Sequence, residues 1–293
     1  MYQGCLTLIA DARDLGPTAC DDGTVEPTRG TDEQYGIEQG QIERNRIERN
    51  RELWDQVNED FAGQDGVDRW DALDLGWGLF RRPEAQLALL GDVERRDVVE
   101  LGCGTAHVAA WAARRGACCT AVDLSRAQLM TARRCQMRSG PQFPLIQADG
   151  EHVPLRDGCA DLVVSEHGVG AWCDPQRWVP EAARLLRPGG RLVFMTNSPL
   201  SALCVPDESG PAGDRLLRAV QEVRTVSWPG GGTEHHPSHG EWIQILRAAG
   251  FVIDELLELS PPVGSADPDW YEIVTAEWAG RWPAEDVWVA HLE

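Results

Sequence analysis

The ten residues Val98-Val99-Glu100-Leu101-Gly102-Cys103-Gly104-Thr105-Ala106-His107 decide how this chain is read. Apolar residues of strand type (Val98, Val99, Leu101) stop at Gly102 and Gly104, and the stretch 108–115 then has helical composition. Glycine at such a strand-to-helix turn permits positive φ and lets a ligand approach bare amides, while the helix start presents N–H donors and a positive dipole end. An ordinary glycine-rich turn would read the same on these residues alone. The surrounding chain has to decide.

Outward from the turn, strand and helix patterns alternate. A helix over 83–90 precedes it and a helix over 106–115 follows. Then come the strand Cys118-Cys119-Thr120-Ala121-Val122-Asp123, a helix over 125–138, a strand over 144–149 and a strand over 160–165. A helix around 180–186 and the turn Arg187-Pro188-Gly189-Gly190 lead to a strand over 191–195. Beyond a proline-rich stretch, a helix over 240–249, a strand over 251–257, a helix near 271–279 and a last strand over 287–290 complete the pattern. Alternating strands and helices predict an α/β fold, a doubly wound, mostly parallel sheet with helices on both faces.

The flanks read differently. Residues 1–35, rich in Asp, Gly, Thr and Pro, are expected to form a disordered tail with no assigned role. Residues 36–92 are expected to be a helical cap. There a five-residue repeat (Ile42-Glu43-Arg44-Asn45-Arg46, then Ile47-Glu48-Arg49-Asn50-Arg51) runs into Trp54, Val57 and Phe61 on one helical face, ending near Gly63. Such a helix could cover the mouth of the following 93–293 domain. Trp70, Trp77 and Phe80 could line a pocket, although packing explains each one singly. Within the domain, residues 198–240, with Pro229-Gly230-Gly231-Gly232, read as an insertion on the substrate side, after the fifth strand.

Composition removes several chemistries. The 293 residues carry a net charge of −20, which disfavours a nucleic-acid partner or an anionic membrane face. All 27 basic residues are arginine, so lysine Schiff-base chemistry and a Gly-Lys-Ser/Thr phosphate loop are both excluded. The nine scattered cysteines form no Cys-x-x-Cys pair and read as reduced thiols. With no basic leader and no apolar run near the ~18 residues of a membrane span, the protein is expected to be cytoplasmic, with no membrane partner.

Acidic residues close successive strands. Asp123 follows Glu100 by 23 residues, where a carboxylate can accept hydrogen bonds from ribose hydroxyls, and Asp149 closes the third strand before Gly150. In an open α/β sheet, ligands bind beyond the carboxyl ends of the strands. Gly102, Gly104, Asp123, Asp149 and Ser165 would therefore converge on one crevice.

The ordered series Glu100-Leu-Gly-Cys-Gly-Thr, Val122-Asp123-Leu124-Ser125, Gln147-Ala148-Asp149-Gly150-Glu151, Asp161-Leu-Val-Val and Leu185-Leu-Arg-Pro-Gly-Gly-Arg-Leu resembles the motifs of class I S-adenosylmethionine-dependent methyltransferases, in their small-molecule branch. The resemblance covers roughly 95–257. It implies a seven-stranded sheet of Rossmann-like type whose last strand is antiparallel, and S-adenosyl-L-methionine as cofactor. It also implies that Glu100 orients the turn and the cofactor's amino group, and that Gly102, Cys103 and Gly104 make room for the methionine part. Asp123 would bind the ribose and Leu124 would lie on the adenine. Ala148 and Asp149 would bond the adenine edge, with Ser165 beside the sulfonium. Ala106 stands where the family has a third glycine. A dinucleotide site would instead want glycine at His107, which argues against a NAD-dependent oxidoreductase.

Methyl transfer needs a base only if the acceptor carries a proton. Glu166 and His167, just after the fourth strand, are the best-placed candidates, with His235 and His236 in Glu234-His235-His236-Pro237-Ser238-His239 as the others. Three histidines this close could bind metal, but the reaction does not require one and none is expected. Ser165-Glu166-His167-Gly168 stands where amino-directed nucleic-acid methyltransferases carry Asn/Asp-Pro-Pro-aromatic, a further mark against nucleic acid. A non-catalytic nucleotide-binding module shares the fold class. A small-molecule acceptor, aromatic or apolar given Trp70, Trp77, Trp172 and Trp228, is the expected partner. Neither the acceptor atom nor the oligomeric state is fixed by any motif.

Overall fold

The computed structural model describes residues 29–61, 69–207, 210–228, 231–268 and 273–293. The tail expected over 1–35 falls mostly outside them, and its last residues are helical, because α1 spans Arg29–Phe61. Contacts divide the chain into two units, Met1–Ile42 and Glu43–Glu293. Of the first, the described residues belong to α1.

After α1 come the short strands β1 (Gly76–Trp77) and β2 (Arg82–Pro83) and the single turn α2 (Glu84–Leu87). The alternating core is β3 (Asp97–Leu101), α3 (His107–Arg114), β4 (Cys118–Asp123), α4 (Arg126–Ser139), β5 (Leu145–Gln147) and β6 (Ala160–Glu166). It continues through α5 (Val169–Trp172), α6 (Pro175–Leu185) and β7 (Leu186–Asn197). The insertion holds α7 (Pro199–Cys204), α8 (Val220–Val223) and a small hairpin, β8 (Val226–Ser227) with β9 (Thr233–Glu234). Closing the chain are α9 (His239–Ala248), β10 (Phe251–Leu259), α10 (Ala276–Ala279) and β11 (Glu285–Leu292). Gly63 and residues 271–272 of the helix expected near 271–279 lie outside the described residues, and the described part of that stretch is helical only over Ala276–Ala279.

Seven strands form one sheet in the order β10-β11-β7-β6-β3-β4-β5. β11 runs antiparallel to both neighbours, and the ladders joining β7, β6, β3, β4 and β5 are parallel. Strand order reverses at β3, flanked by β4 on one side and β6 on the other, so a crevice opens at the carboxyl ends of these strands. This is the sheet the sequence implied.

Boundaries moved where capping outweighed pattern. The helix expected from residue 180 begins at Pro175, because Asp174 caps it, accepting from the Gln176 N–H, and Pro175 fits the first helical position. The Pro188-Gly189-Gly190 segment is a bulge inside β7: Ala160 pairs with Leu186 and Leu162 already with Arg191, with Gly189 at φ 74°.

Two buried layers cover the sheet. One contains Trp70, Trp77, Trp111, Val98 and Ala121; the other contains Leu101, Trp178, Phe194, Trp242 and Trp288. Trp70 and Trp77 are therefore packing residues rather than pocket residues. Their indole N–H groups donate to the Thr105 carbonyl and the Glu84 carboxylate, respectively.

Candidate active site

A cleft of about 1140 Å³, counted to its open mouth, lies at the carboxyl ends of β3, β4 and β6. Its floor is the turn after β3. Gly102 and Gly104 hold φ of 63° and 52°, and Ala106 at 61° pays the left-handed cost of about 1–2 kcal/mol that glycine would avoid. A Cβ on Gly102 would stand 2.7 Å from the Gly168 Cα, and one on Gly168 would stand 2.5 Å from the Gly102 carbonyl oxygen. The turns after β3 and β6 meet backbone to backbone. No side chain fits between them.

Glu100 points away from the cleft. It is buried, and it accepts from the Ala109 and Val108 N–H groups at the start of α3, while burial pushes its carboxyl up to about 8. The helix-start donors that a pyrophosphate would use are thus occupied by a protein carboxyl oxygen. Asp123 faces the cleft, its two oxygens accepting from the Gly104 and Ser125 N–H groups at 2.7 Å each. Burial raises its carboxyl to about 6 against those two bonds. Each carboxylate oxygen keeps a lone-pair direction for a ligand hydroxyl.

Leu124, Ala148, Asp149 and Gly150 line the adjoining wall. The Ala148 N–H donates to the Asp123 carbonyl, so it is spent on the sheet and is not offered to a ligand. Cys103 lines the cleft with the glycines. Ser165 does not line it: fully buried, its hydroxyl accepts from the Val169 N–H and fixes the β6–α5 turn.

Beyond the glycine turn sits a cluster of acids and imidazoles. Glu166 and His167 both line the cleft, as does His107 on the first turn of α3. His167 holds the left-handed φ of 48°, costly for a non-glycine residue and typical of functional turns. Its Nε2 lies 2.6 Å from Glu285 Oε1. Burial alone would lower the His167 pKa, yet the Glu285 hydrogen bond and charge raise it above the ordinary value. Burial drives His107 down to about 4, leaving a neutral ring whose Nε2 is buried without a hydrogen-bond partner, 3.7 Å from Glu166 Oε2. Glu166 stays below the usual carboxylate range. Burial opposes this, while the positive charge of His167 and Arg69 and the hydrogen bond from the Gly78 N–H pull it down.

The expected partners in the insertion lie elsewhere. His235 and His236 are both buried outside the cleft wall; the His235 N–H donates to Ala171, and His236 Nε2 pairs with Glu234 Oε2 at 2.8 Å. They organise the hairpin beneath the cap and do not meet the cleft. Two cleft features had no motif to announce them, His107 and Glu285 behind His167, whereas the roof is the helix expected to cover the mouth.

That roof is the second half of α1. Asn50 and Trp54 line the cleft, with Trp54 edge-on to Trp172 at 5.1 Å. The Asn50 side chain donates to the Trp172 and Thr233 carbonyls at 3.0 Å each and accepts from the Thr233 N–H at 2.7 Å. Asp55 accepts from the Ser125 hydroxyl and the Ala127 N–H at the start of α4, where a carboxylate complements the helix dipole. Arg46 reaches the buried Glu151 at 2.5 Å. The cap helix is thereby fastened to α4, to the end of α5 and to β9.

The sequence profile of the methyltransferase-domain family matches residues 99–194. An uncharacterized methyltransferase of Mycobacterium tuberculosis is 37% identical over 170 residues, covering 58% of this chain and 67% of its own length. A malonyl-[acyl-carrier protein] O-methyltransferase of Pectobacterium atrosepticum is 35% identical over 114 residues, 39% of this chain; the chain thus spans only 43% of that relative's length. Among solved structures, an S-adenosylmethionine-dependent methyltransferase from Mesorhizobium loti matches with a TM-score of 0.57 at 25% identity, over 71% of this chain and 95% of that one.

Proposed function

The chain belongs to the class I S-adenosylmethionine-dependent methyltransferases, and from that premise we propose that it methylates an oxygen of a small acceptor, with His167 as the base. The observation that carries the proposal is the His167–Glu285 pair at the cleft wall.

The residues present fit the cofactor. Asp149, Glu166 and Asp123 make the cleft anionic, which suits a sulfonium better than a phosphate, and the occupied start of α3 works against pyrophosphate as well. Asp123 would hold the ribose hydroxyls, Leu124 and Ala148 the adenine faces, and the Gly102–Gly104 turn the methionine end. When bound, S-adenosylmethionine supplies a methyl group on a positively charged sulfur, ready for in-line displacement.

What this chain supplies is position, dryness and a proton sink. Holding donor and acceptor in line is worth on the order of 7–11 kcal/mol. The cap helix, through Asn50 and Trp54, would exclude water from the mouth. Glu285 occupies Nε2 of His167, which leaves Nδ1 as the ring nitrogen for the acceptor's proton, and its charge stabilises the imidazolium that results. An acceptor hydroxyl or carboxyl would then lie between His167, Glu166 and the unpartnered His107 Nε2. The O-methyltransferase name of the Pectobacterium relative supports oxygen as the target.

The experiment is methyl transfer from labelled S-adenosylmethionine into a fractionated small-molecule extract, by the native protein and by His167→Ala. Label should enter a product whose methyl is an ether or ester, and the variant should lose most of it. Labelled product on carbon or nitrogen, or full activity of the variant, would overturn the reading.

A further inference from the structure

A second constellation sits under α9, away from the cleft. Asp286, near the start of β11, has Thr196 of β7 and Glu258 of β10 as its ladder partners. Side chains alternate along strands, so these three share the face on which Phe194, Trp288 and Leu256 pack beneath α9. His239, the first residue of α9, closes the group from above, its Nε2 2.7 Å from Asp286 Oδ2. One ligand atom each from His239, Glu258 and Asp286 lies within 4.8 Å of the others. None of the three lines the donor cleft.

An ion pair between His239 and Asp286 does not account for the group. Asp286 is completely buried, and its second oxygen, Oδ1, has no hydrogen-bond partner; the neighbouring Thr196 Oγ1, also buried, has none either. A buried carboxylate oxygen left bare costs about 1–3 kcal/mol or more, which an ion or an ordered water would relieve. Glu258 adds a second carboxylate beside the first, so one imidazole faces two acids. A water would satisfy Oδ1 but would leave that repulsion in place. A cation answers both.

We propose that His239, Glu258 and Asp286 hold one zinc-type divalent metal ion through an imidazole nitrogen and two carboxylate oxygens, with a further position open to water. One nitrogen and two oxygens are ligands such an ion takes, and the exposed Glu258 with the half-exposed His239 provides an entry path. The ion would join α9 to the β10–β11 edge of the sheet, a structural role independent of methyl transfer.

The test uses the full chain stripped with a chelator, then titrated with Zn²⁺ by calorimetry and with Co²⁺ by absorption spectroscopy. One equivalent should bind, Tm should rise with added Zn²⁺, and the cobalt spectrum should lack thiolate charge-transfer bands. His239→Gln and Glu258→Gln, both at sites open to solvent and checked for folding by circular dichroism, should each weaken binding by more than about tenfold, the least that even an outer-shell partner contributes. They should also abolish the Tm rise. No saturable binding by the native chain, unchanged affinity in both variants, or cobalt bands from cysteine thiolate would each overturn the assignment.

Discussion

The two sides of the cleft, to which we assign the donor and the acceptor, are built by different means. On the donor side, contacts are local: Asp123 is bonded to Gly104 and Ser125, and Glu100 to the helix nine residues on. On the acceptor side they span the chain: His167 leans on Glu285, 118 residues away, and Asn50 on Thr233, 183 away. Local contacts leave motifs, because spacing along the chain fixes them. Long-range ones leave none, because two strands or a helix and a hairpin must first meet.

The sharpest way to break this division is His167→Ala. Loss of a general base lowers kcat by roughly 100- to 10,000-fold. S-adenosylmethionine affinity, measured by calorimetry, should stay within about threefold, since the donor contacts are untouched. Parallel loss of both would merge the two sides. Glu285→Gln tests the positioning residue behind the base. His167 carries a raised pKa and accepts a proton only when neutral, so kcat should rise with pH through a value above 6.5. With the carboxylate gone, burial dominates, and that limb should move to lower pH while the plateau falls. An unmoved limb would mean that Glu285 merely packs.

Legibility followed the same line. The strands and the place of Asp123 and the glycine turn at the cleft could be read from the chain, because strand periodicity and turn chemistry are local, and the antiparallel last strand followed from the resemblance. Ser165 was expected in the crevice because it ends a strand, yet its hydroxyl is consumed by the Val169 N–H in a turn where Gly168 packs on Gly102. His235 and His236 looked like bases by residue type alone. Their burial depends on a hairpin that closes against Leu53 and Trp172 through Gly232, and no spacing announces that. Glu285 opens a strand with no motif around it, so its role is visible only once β11 lies beside β7.

A middle-sized effect belongs to the donor side. Asp123→Asn retains shape but removes charge from hydrogen bonds worth about 1.5–3 kcal/mol each, so donor affinity should fall roughly 10- to 100-fold. The native affinity should also depend on pH. In the free protein burial pushes the Asp123 carboxyl up to about 6, and the ribose hydroxyls proposed to bind there would donate to its ionised form. Binding is therefore full above about 6 and weakens as pH falls below it, by up to about tenfold per pH unit. The Asn variant should bind weakly with no such dependence. A native profile flat from pH 7 to pH 5 would show that the ribose hydroxyls do not rely on this carboxylate.

The smallest effect tests the seam between the sides. Asn50→Ala removes two donated hydrogen bonds and one accepted bond that hold the cap helix to Trp172 and Thr233, while leaving Asp123 and the glycine turn intact. Each such bond contributes about 0.5–1.5 kcal/mol, and water can replace part of what is lost at the mouth. The cap should still form, because Asp55 and Arg46 anchor it separately. It should open more often. The acceptor KM should then rise about three- to tenfold with kcat reduced less, because an acceptor needs the closed roof for binding while His167 and Glu285 remain in place. A fall in kcat alone, with KM unchanged, would mean that the roof acts on the chemical step rather than on capture, and would move Asn50 to the same side of the comparison as His167.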